Sequence, residues 1–364
     1  MEEEVLWSIL HKAWQDMPRK MLRAFMEQMK NYYLQEATPK FMQSHFPSLD
    51  KKYFQQFFYL KEKIDMEKAK NYFAKQQIHL LKYTDNAYPQ KLRDLTQQPP
   101  IIYYRGNLVN DGLNIGIVGS RRADQYGKSI AEELARDLSA AGVCIISGLA
   151  RGIDGAAHRG ALTEIGGTIA VLGCGIDVVY PAEHSKLTEE IIAHPASAVV
   201  TEFPFGTKPL AYHFPMRNRL ISAFSDGVVI VQAAAKSGAS ITAEFALEQG
   251  KDVFAVPGMV HNPLSEGPHQ LLKEGAKIIV KATDVLEEYG QLCLFREKEV
   301  QAKNIQLKPK EALVYDLLSS EPVSVEEIAR CTKLSIAELM PILTTLEMAD
   351  YIQQIIGRKY IRVY

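Results

Sequence analysis

The chain is predicted to be an α/β protein, with a small helical module before a doubly wound, mainly parallel sheet and a winged-helix module after it. Two observations predict the sheet. An apolar run at 115–118 ends in Gly-Ser-Arg and leads into an amphipathic segment, and the same pattern repeats between residues 143 and 162. Further apolar β-runs then alternate with helical patterns as far as residue 280. Successive strand-turn-helix units predict parallel strands.

Composition sets the limits on function. At 364 residues, with 47% hydrophobic and 23% charged residues, the chain is long enough for two or three ordinary globular domains. Lys plus Arg is 42 and Asp plus Glu is 43, so neither sign of charge is in excess. If the protein binds nucleic acid, a local cluster of basic residues must do so, because the body of the protein is not basic.

The cysteines and the chain start favour an ordinary intracellular protein. The four cysteines form no CxxC pair, which argues against a structural zinc site or a disulfide framework. The start, MEEEVLWSIL, is acidic, and its apolar run is short for a signal peptide. No segment approaches the roughly 20 apolar residues that a membrane span needs. We therefore expect a cytoplasmic location with no membrane span. The cysteines are Cys144, Cys174, Cys293 and Cys331.

Residues 1–75 are rich in aromatic side chains and are predicted to form a module of three to five short helices. Aromatic and basic residues alternate in KKYFQQFFYLKEK, at 51–63, and such rings can stack on bases. Aromatic residues at i, i+3 and i+4 spacing, however, more often form the core of a helical module. The core interpretation is therefore favoured for this segment.

Residues 76–287 are predicted to form the doubly wound domain. An extended entry precedes it, and Pro99-Pro100 excludes helix there. Helices are expected at 218–225, 241–250 and 269–275, between the later strands. The predicted strands are 101–104, 115–118, 143–146, 168–173, 198–203, 227–232, 252–258 and 277–280.

A charged, poorly periodic stretch at 288–307 is predicted to be a linker, and residues 308–364 a winged-helix module of three helices and a hairpin. Such a module usually reads a major groove with its last helix. That helix, expected at 335–349, contains no Lys or Arg. The module therefore looks ill suited to gripping duplex phosphates, and a protein-binding or dimerising role is about as plausible.

Familiar nucleotide motifs are absent. A dinucleotide site needs G-x-G-x-x-G after the first strand and an acidic residue at the end of the second, but the chain has Gly116-Ile-Val-Gly119-Ser-Arg and Ile146-Ser147-Gly148. No G-x-x-x-x-G-K-[ST] occurs either, which argues against ATP hydrolysis of the P-loop type.

Three segments instead suit a phosphate chain. Gly119-Ser120-Arg121 follows the first strand, Arg217-Asn218-Arg219 is expected at the exposed start of a helix, and Lys236-Ser237-Gly238 with Ser240 precedes another helix. All three should meet at the carboxyl edge of the sheet, where phosphates bind helix N-termini and small turns. Several such segments in a row suit a polyanion, and single-stranded nucleic acid fits, with Phe214 available for stacking. Arg121 and Arg217 are both expected at exposed strand ends.

A metal site is a weak alternative. Asp154 and His158 are four residues apart on one predicted helix, and Asp177 follows later, but no third ligand has a supportive spacing. Asp154 is equally suited to capping a helix start. No metal and no cofactor are therefore predicted.

The chain closely resembles the bacterial DNA-processing protein A family, also called DprA or Smf, over roughly residues 80–285. The resemblance is carried by GSR at 119–121, SGLARGIDGAAHRGAL at 147–162, AVLGCGIDVVYP at 170–181, FPMRNRLISAFSDGVVIVQAAAKSGASITA at 214–243 and DVFAVPG at 252–258.

The resemblance implies an extended Rossmann-like domain between a sterile-alpha-motif-like helical module and a winged helix. It implies a non-enzymatic, homodimeric protein that binds single-stranded DNA entering during natural transformation, protects it and loads the RecA recombinase onto it. Carried over by motif, the DNA-contacting positions are Gly119, Ser120, Arg121, Phe214, Arg217, Asn218, Arg219, Lys236, Ser237, Gly238 and Ser240.

Two segments depart from the family pattern. Met216 stands where a second basic residue often precedes RNR, which would weaken DNA affinity, and GPHQLLKEGA at 267–276 varies a further segment. An alternative function is that of the nucleoside-monophosphate phosphoribohydrolases, which also have a Rossmann-like fold. Glu244 of this chain would imitate the glutamate of their site, although KSGAS replaces their PGG-x-GT turn. A protein-binding scaffold without DNA affinity is a third hypothesis.

Overall fold

The structure is a computed structural model that describes residues 1–108, 112–290, 308–319, 323–348, 351–355 and 359–362. The chain divides into two compact units, Met1–Phe295 and Arg296–Tyr364. Most of the predicted linker, 291–307, and Cys293 lie outside the described residues. The predicted domain boundaries at 75, 287 and 307 stay predictions.

Five short helices open the chain, within the predicted three to five. Asp50 and Asp65 cap two of them, because each side chain accepts a hydrogen bond from a backbone N–H of the first turn. In the aromatic segment, Phe54 and Phe57 are buried, so the core interpretation is right for these rings. The helices are α1 (Glu2–Ala13), α2 (Arg19–Gln28), α3 (Pro39–His45), α4 (Lys51–Lys63) and α5 (Met66–Lys75).

A sheet of nine strands follows. Eight of them are predicted from the sequence, and the ninth, at 79–82, lies in the segment that was expected to be an extended entry. The strands are β1 (His79–Lys82), β2 (Ile101–Gly106), β3 (Asn114–Val118), β4 (Cys144–Ser147), β5 (Thr168–Val171), β6 (Ala198–Thr201), β7 (Gly227–Ile230), β8 (Asp252–Ala255) and β9 (Lys277–Ile278).

The order of strands in the sheet is β1-β2-β6-β5-β4-β3-β7-β8-β9. The pairings from β6 through to β9 are parallel, while β2 pairs antiparallel with both β1 and β6. Central strands such as β3 and β7 are buried along their whole length, which explains their continuous apolar sequence. From β3 the chain winds towards β6 on one side and, after returning to β7, towards β9 on the other.

Helices cover both faces of this sheet, as a doubly wound fold requires. One core lies beneath the helices that follow β3, β4 and β9, and a second continues from the opposite face into the N-terminal helices. The helices are α6 (Gln90–Arg93), α7 (Gln125–Ala140), α8 (Ile153–Ala161), α9 (Ser185–Ala193), α10 (His213–Phe224), α11 (Gly238–Glu248), α12 (Glu266–Lys273) and α13 (Ala282–Glu288).

Polar contacts also join the N-terminal helices to the sheet. His11 of α1 lies 2.9 Å, Nδ1 to hydroxyl, from Tyr103 of β2, and the two rings stack. Arg19 of α2 donates to the carboxylate of Glu202, just after β6, at 2.9 Å. The helical module therefore packs on the antiparallel side of the sheet within the first unit.

The second unit has the predicted winged-helix pattern. It also contains a short strand, β10, that was not predicted from the sequence. Its helices are packed on a small core that includes Val314, Ile328 and Leu343. The elements are α14 (Pro309–Leu317), β10 (Val323–Ser324), α15 (Val325–Thr332), α16 (Ile336–Met348), β11 (Ile352–Ile355) and β12 (Lys359–Arg362), with strand order β10-β12-β11.

The described residues contain neither a candidate membrane span nor a candidate metal site. Among the helices in the described ranges, none combines the length and the apolar character that crossing a bilayer requires. In the same part of the chain, no three His, Cys, Asp or Glu side chains converge in a way that would hold a metal ion. Cys144 and Cys174 are buried and Cys331 is exposed, all three as free thiols.

Two buried histidines give the fold a predicted pH dependence. Burial lowers the pKa of His11 and of His158 from 6.5 to about 3. Between these values the unfolded chain binds protons that the folded chain does not, so the free energy of unfolding should fall as the pH drops from about 6.5 towards 3. Each histidine contributes up to about 1.4 kcal/mol per pH unit.

Urea denaturation at a neutral and a mildly acidic pH measures this dependence. His158→Gln should reduce the difference in the free energy of unfolding between the two pH values. His261→Gln, at an exposed position, should leave that difference unchanged. An equal pH dependence in wild type and His158→Gln would contradict the burial argument.

Candidate nucleic-acid interface

The candidate site lies at the point where the strand order reverses. Strands β3 and β7 are neighbours, but the chain leaves them in opposite directions across the sheet. The loops after their carboxyl ends therefore part and leave a crevice, which is where open α/β sheets bind ligands. A cleft of about 640 Å³ occupies this place.

Residues from all three predicted phosphate-binding segments line the cleft. Eight of the residues predicted from the sequence line it. Seven of them belong to its wall, and the eighth, Arg217, forms part of its floor. These eight are Gly119, Ser120, Arg121, Phe214, Arg217, Asn218, Ser237 and Gly238. Convergence of the three segments at one sheet edge is thus as the sequence predicts.

The loop after β3 carries the exposed charge of the cleft. Ser120 N–H donates to the carbonyl of Gln232, after β7, at 2.6 Å, and Arg122 N–H donates to Ser120 Oγ at 3.1 Å. These bonds hold the turn while the side chains of Arg121 and Arg122 stay exposed. The Arg121 guanidinium lies over the Phe214 ring, 4.6 Å from its centroid. The cleft therefore offers a cation and an aromatic face together.

The loop after β4 packs directly on the loop after β3. Ile153 N–H, at the start of α8, donates to the Ser120 carbonyl at 3.3 Å. Gly152 between them has a φ of +76°, and a Cβ there would lie 2.2 Å from the Ser120 oxygen. Only glycine meets both conditions without strain. His158 of α8 holds the same loop, because its Nε2 accepts from Leu149 N–H at 3.3 Å.

Arg217 forms the floor of the cleft. Its side chain is 2% exposed and donates from Nη1 to the carbonyl of Gly148, at 2.7 Å, and to that of Val171. A Cβ on Gly148 would lie 2.5 Å from the Arg217 guanidinium, so glycine is needed for this approach. Burial lowers the pKa of Arg217 to about 10, which leaves it charged at neutral pH. One cation thus ties together the ends of β4 and β5.

The buried carboxylate of Asp154 interacts electrostatically with this cation. It lies buried in the cleft wall, and its Oδ2 accepts from Ala150 N–H at 3.3 Å. Burial raises its pKa, while the charges of Arg217 and Arg121 act in the opposite direction. Asp154 therefore balances the buried guanidinium and supports the loop after β4.

Asn218 connects this floor to α11. Its side chain accepts from Arg217 Nε at 3.2 Å and donates to the Gly238 carbonyl at 3.0 Å. Ser237 caps the same helix, because its hydroxyl accepts from Ser240 N–H at 3.3 Å. The N-terminus of α11 thereby faces the cleft, where its dipole favours an anion.

Two models of known protein families match the chain. The family model for DNA recombination-mediator protein A matches residues 79–290, and the model for the DprA winged helix domain matches residues 299–358. The first match alone spans more than half of the chain.

The chain belongs to this family.

Individual relatives cover most of the chain. It is 37% identical to protein Smf of Escherichia coli over 78% of this chain and 77% of that protein. It is 40% identical to DNA processing protein DprA of Bacillus subtilis over 59% of this chain and 73% of that protein. Sequence similarity to the family therefore extends beyond the residues of the cleft.

Solved structures give the same result for the fold. The X-ray structure of DprA from Streptococcus pneumoniae matches with a TM-score of 0.64 and 34% identity, over 77% of this chain and 95% of that one. A structure of DprA from Helicobacter pylori, reported for its single-stranded DNA binding mode, matches with a TM-score of 0.53 and 31% identity, over 59% of this chain and 96% of that one. The Rossmann-like fold of the central domain is thus a family property.

The structure corrects the expectations for the RNR segment of this family member. α10 begins at His213, so Arg217 and Arg219 lie past its first turn and not at its exposed start. Both are buried, at 2% and 6% exposure. The prediction that Arg217 stands at an exposed strand end is therefore wrong. The corresponding prediction for Arg121 is right, because its side chain is exposed at the end of β3.

Arg219 faces away from the cleft altogether. It forms a buried ion pair with Glu202, which also accepts from Arg19 at 2.9 Å. Burial lowers the pKa of Arg219, and the charge of Glu202 opposes that shift. Arg219 therefore stabilises the contact of α10 with the region after β6. Its predicted DNA contact is not supported by its position.

Four further residues of interest lie off the cleft wall. Lys236 and Ser240 flank the α11 cap without lining the cleft, although Lys236 is exposed nearby. Met216 lines a different cavity with Arg219, so its replacement of a basic residue removes no charge from the cleft wall. Glu244 is exposed and also lies off the wall, which removes the main feature of the phosphoribohydrolase alternative.

Among the cleft residues outside the predicted set are a cation and an aromatic ring that could contact DNA. Arg122 is exposed beside Arg121, and Tyr180 lies with its ring 5.5 Å from that of Phe214. Arg122 could have been found as the next basic residue after the GSR turn. Tyr180 follows β5, so the rule that ligands bind at strand carboxyl ends already pointed to its segment.

Removing the buried guanidinium is predicted to destabilise the fold. Arg217→Ala leaves two buried carbonyls and Asp154 without their cation, and we expect a loss of about 3 kcal/mol in the free energy of unfolding. Urea denaturation followed by far-ultraviolet circular dichroism measures it.

The matched control is Arg121→Ala, at an exposed position, which should change stability by less than about 0.5 kcal/mol. A wild-type denaturation midpoint for Arg217→Ala would refute the structural role.

Proposed function

We propose that the protein binds single-stranded DNA in the cleft, protects incoming DNA during natural transformation and loads the RecA recombinase onto it. The observation that carries the proposal is the pairing of Arg121 with Phe214 at the mouth of the cleft. Phosphate needs a cation, and an unpaired base needs an exposed π-face. The cleft places the exposed Arg121 guanidinium beside the half-buried ring of Phe214.

The shape of the cleft favours single strands over duplex. The aromatic face lies inside a concave site and not on a convex ridge. A base must leave its stack to reach such a ring, which costs little in a single strand and more in a duplex. The single-stranded DNA binding mode reported for the H. pylori relative supports single-stranded DNA as the ligand of this chain.

Binding without catalysis fits the side chains of the cleft. Its carboxylate, Asp154, is buried and occupied by a backbone N–H and by the charge of Arg217. Glu244, which the hydrolase alternative requires, is directed elsewhere. We infer a binding protein of the cytoplasm that needs no metal or cofactor.

We further propose that the protein acts as a homodimer. The edge strand β9 exposes Ile278 at 61%, and Val280 just beyond it is 66% exposed. An apolar edge of this kind favours association with another chain. Family membership supports a second copy as the partner.

DNA binding should depend on Arg121 and on salt. For a labelled oligothymidylate, Arg121→Ala should weaken binding about tenfold, since a charge-assisted phosphate contact and its stacking partner are lost. The slope of log affinity against log salt should fall by about 0.7, which is one phosphate on a single strand. Fluorescence anisotropy across a salt series measures both.

Arg159→Ala is the control, because Arg159 is exposed on α8 but does not line the cleft. It should bind as wild type does. Duplex of the same length should bind much more weakly. Equal binding of both strand forms, or none of either, is incompatible with the proposal.

Recombinase loading is tested separately. On DNA covered by a single-strand-binding protein, wild type should shorten the delay before RecA filaments assemble, and Arg121→Ala should do so less because it holds the strand less tightly. Fluorescence of labelled RecA reports the assembly. A protein that binds DNA but leaves the delay unchanged would limit the function to protection.

A further inference from the structure

A smaller pocket opens beside the cleft. It encloses about 240 Å³, and we call it the side pocket; Arg121, Arg122, Ala150, Arg151, Tyr180 and Pro181 line it. Four of these, Arg121, Arg122, Ala150 and Tyr180, also line the cleft. The two cavities therefore share a wall and form a continuous surface along the loops after β3, β4 and β5.

Three arginines surround the side pocket. Arg121, Arg122 and Arg151 are all exposed. Arg151 is held by Glu183, which accepts from its Nε and, at 3.0 Å, from its Nη2. Within the described residues, no ion pair involves Arg121 or Arg122. The pocket is thus strongly positive, with one carboxylate set against one of its cations.

Arg151 and Glu183 form an exposed ion pair, in which each residue can readily exchange its partner. Arg151 is 60% exposed and Glu183 48% exposed. Exposed ion pairs contribute little to stability because water and salt compete for both charges. The hydrogen bonds from Arg151 lower the pKa of Glu183 to about 2, so the carboxylate is ionised at neutral pH. A phosphate in the side pocket would compete with Glu183 for the same guanidinium.

Tyr180 provides the step between the two cavities. Its ring is 37% exposed and lies 5.5 Å from the ring of Phe214, at an angle of 42°. Two neighbouring aromatic faces that border a positive groove suit two successive bases of one strand. The phosphate that follows the base on Tyr180, one nucleotide beyond the base on Phe214, then comes close to the side pocket, because Tyr180 lines it.

We propose that the side pocket is a second phosphate subsite for the same DNA strand, in which Arg151 leaves Glu183 to bind the backbone. Glu183 acts as a competing anion that lowers affinity in the wild-type protein. The proposal rests on single-stranded DNA binding in the cleft and adds to it a direction, from Phe214 past Tyr180 to Arg151.

A ladder of oligothymidylates, from the dinucleotide upward, tests the subsite by anisotropy. Arg151→Ala should bind the longer oligomers about fivefold more weakly while binding the dinucleotide as wild type does. Glu183→Gln should bind the longer oligomers about threefold more tightly, because the competing charge is gone. Arg151→Lys should keep part of the affinity, since a point charge still attracts phosphate.

The outcomes separate this proposal from the one on which it rests. If Arg121→Ala weakens binding at every length but Arg151→Ala behaves as Arg159→Ala does, the cleft binds DNA and the side pocket does not. If Glu183→Gln binds no more tightly than wild type, Glu183 is not a competitor and the proposal fails. If wild type binds no oligomer, single-stranded DNA binding itself is refuted. A thermal melt of each variant verifies folding.

Discussion

The site depends on the burial of one guanidinium. Arg217 donates to the carbonyls that follow β4 and β5, touches Asn218 and faces the charge of Asp154. Backbone carbonyls at strand ends would otherwise need water, and a buried cation without partners would be far less stable. Each therefore satisfies the other. The loop after β4 is thereby fixed to the floor of the cleft before any ligand binds.

This arrangement divides the positive charge into two kinds. Arg217 contributes a fixed field from beneath the cleft, since it stays charged with a pKa of about 10 but is only 2% exposed. Arg121 and Arg122 hold the exposed charge, on a turn whose backbone is fixed by Ser120. A polyanion is therefore attracted by both kinds and contacted by one. Loss of the first should act on folding, and loss of the second on binding.

The sequence was sufficient for all the strands except β1 and β10, for the order of modules and for the edge at which the three segments meet. These follow from apolar periodicity and from the rule for parallel sheets, both of which are local or general. It was not sufficient to tell buried arginines from exposed ones. Residues two apart on a helix point about 200° apart, so Arg217 and Arg219 face opposite sides. Their partners, Val171 and Glu202, are distant in sequence, and only tertiary packing reveals them.

The near-neutral chain also has a consequence for how DNA is held. With 42 basic and 43 acidic residues, the protein as a whole offers no long-range attraction to DNA. Attraction must arise where basic residues outnumber acidic ones locally, and the cleft and side pocket are such a place. In the proposed binding mode few phosphates are contacted at once, so the salt dependence of binding should be shallow and stacking on Phe214 and Tyr180 should supply a larger share of the affinity. Stacking requires unpaired bases, so a site with few phosphate contacts should prefer single strands to duplex.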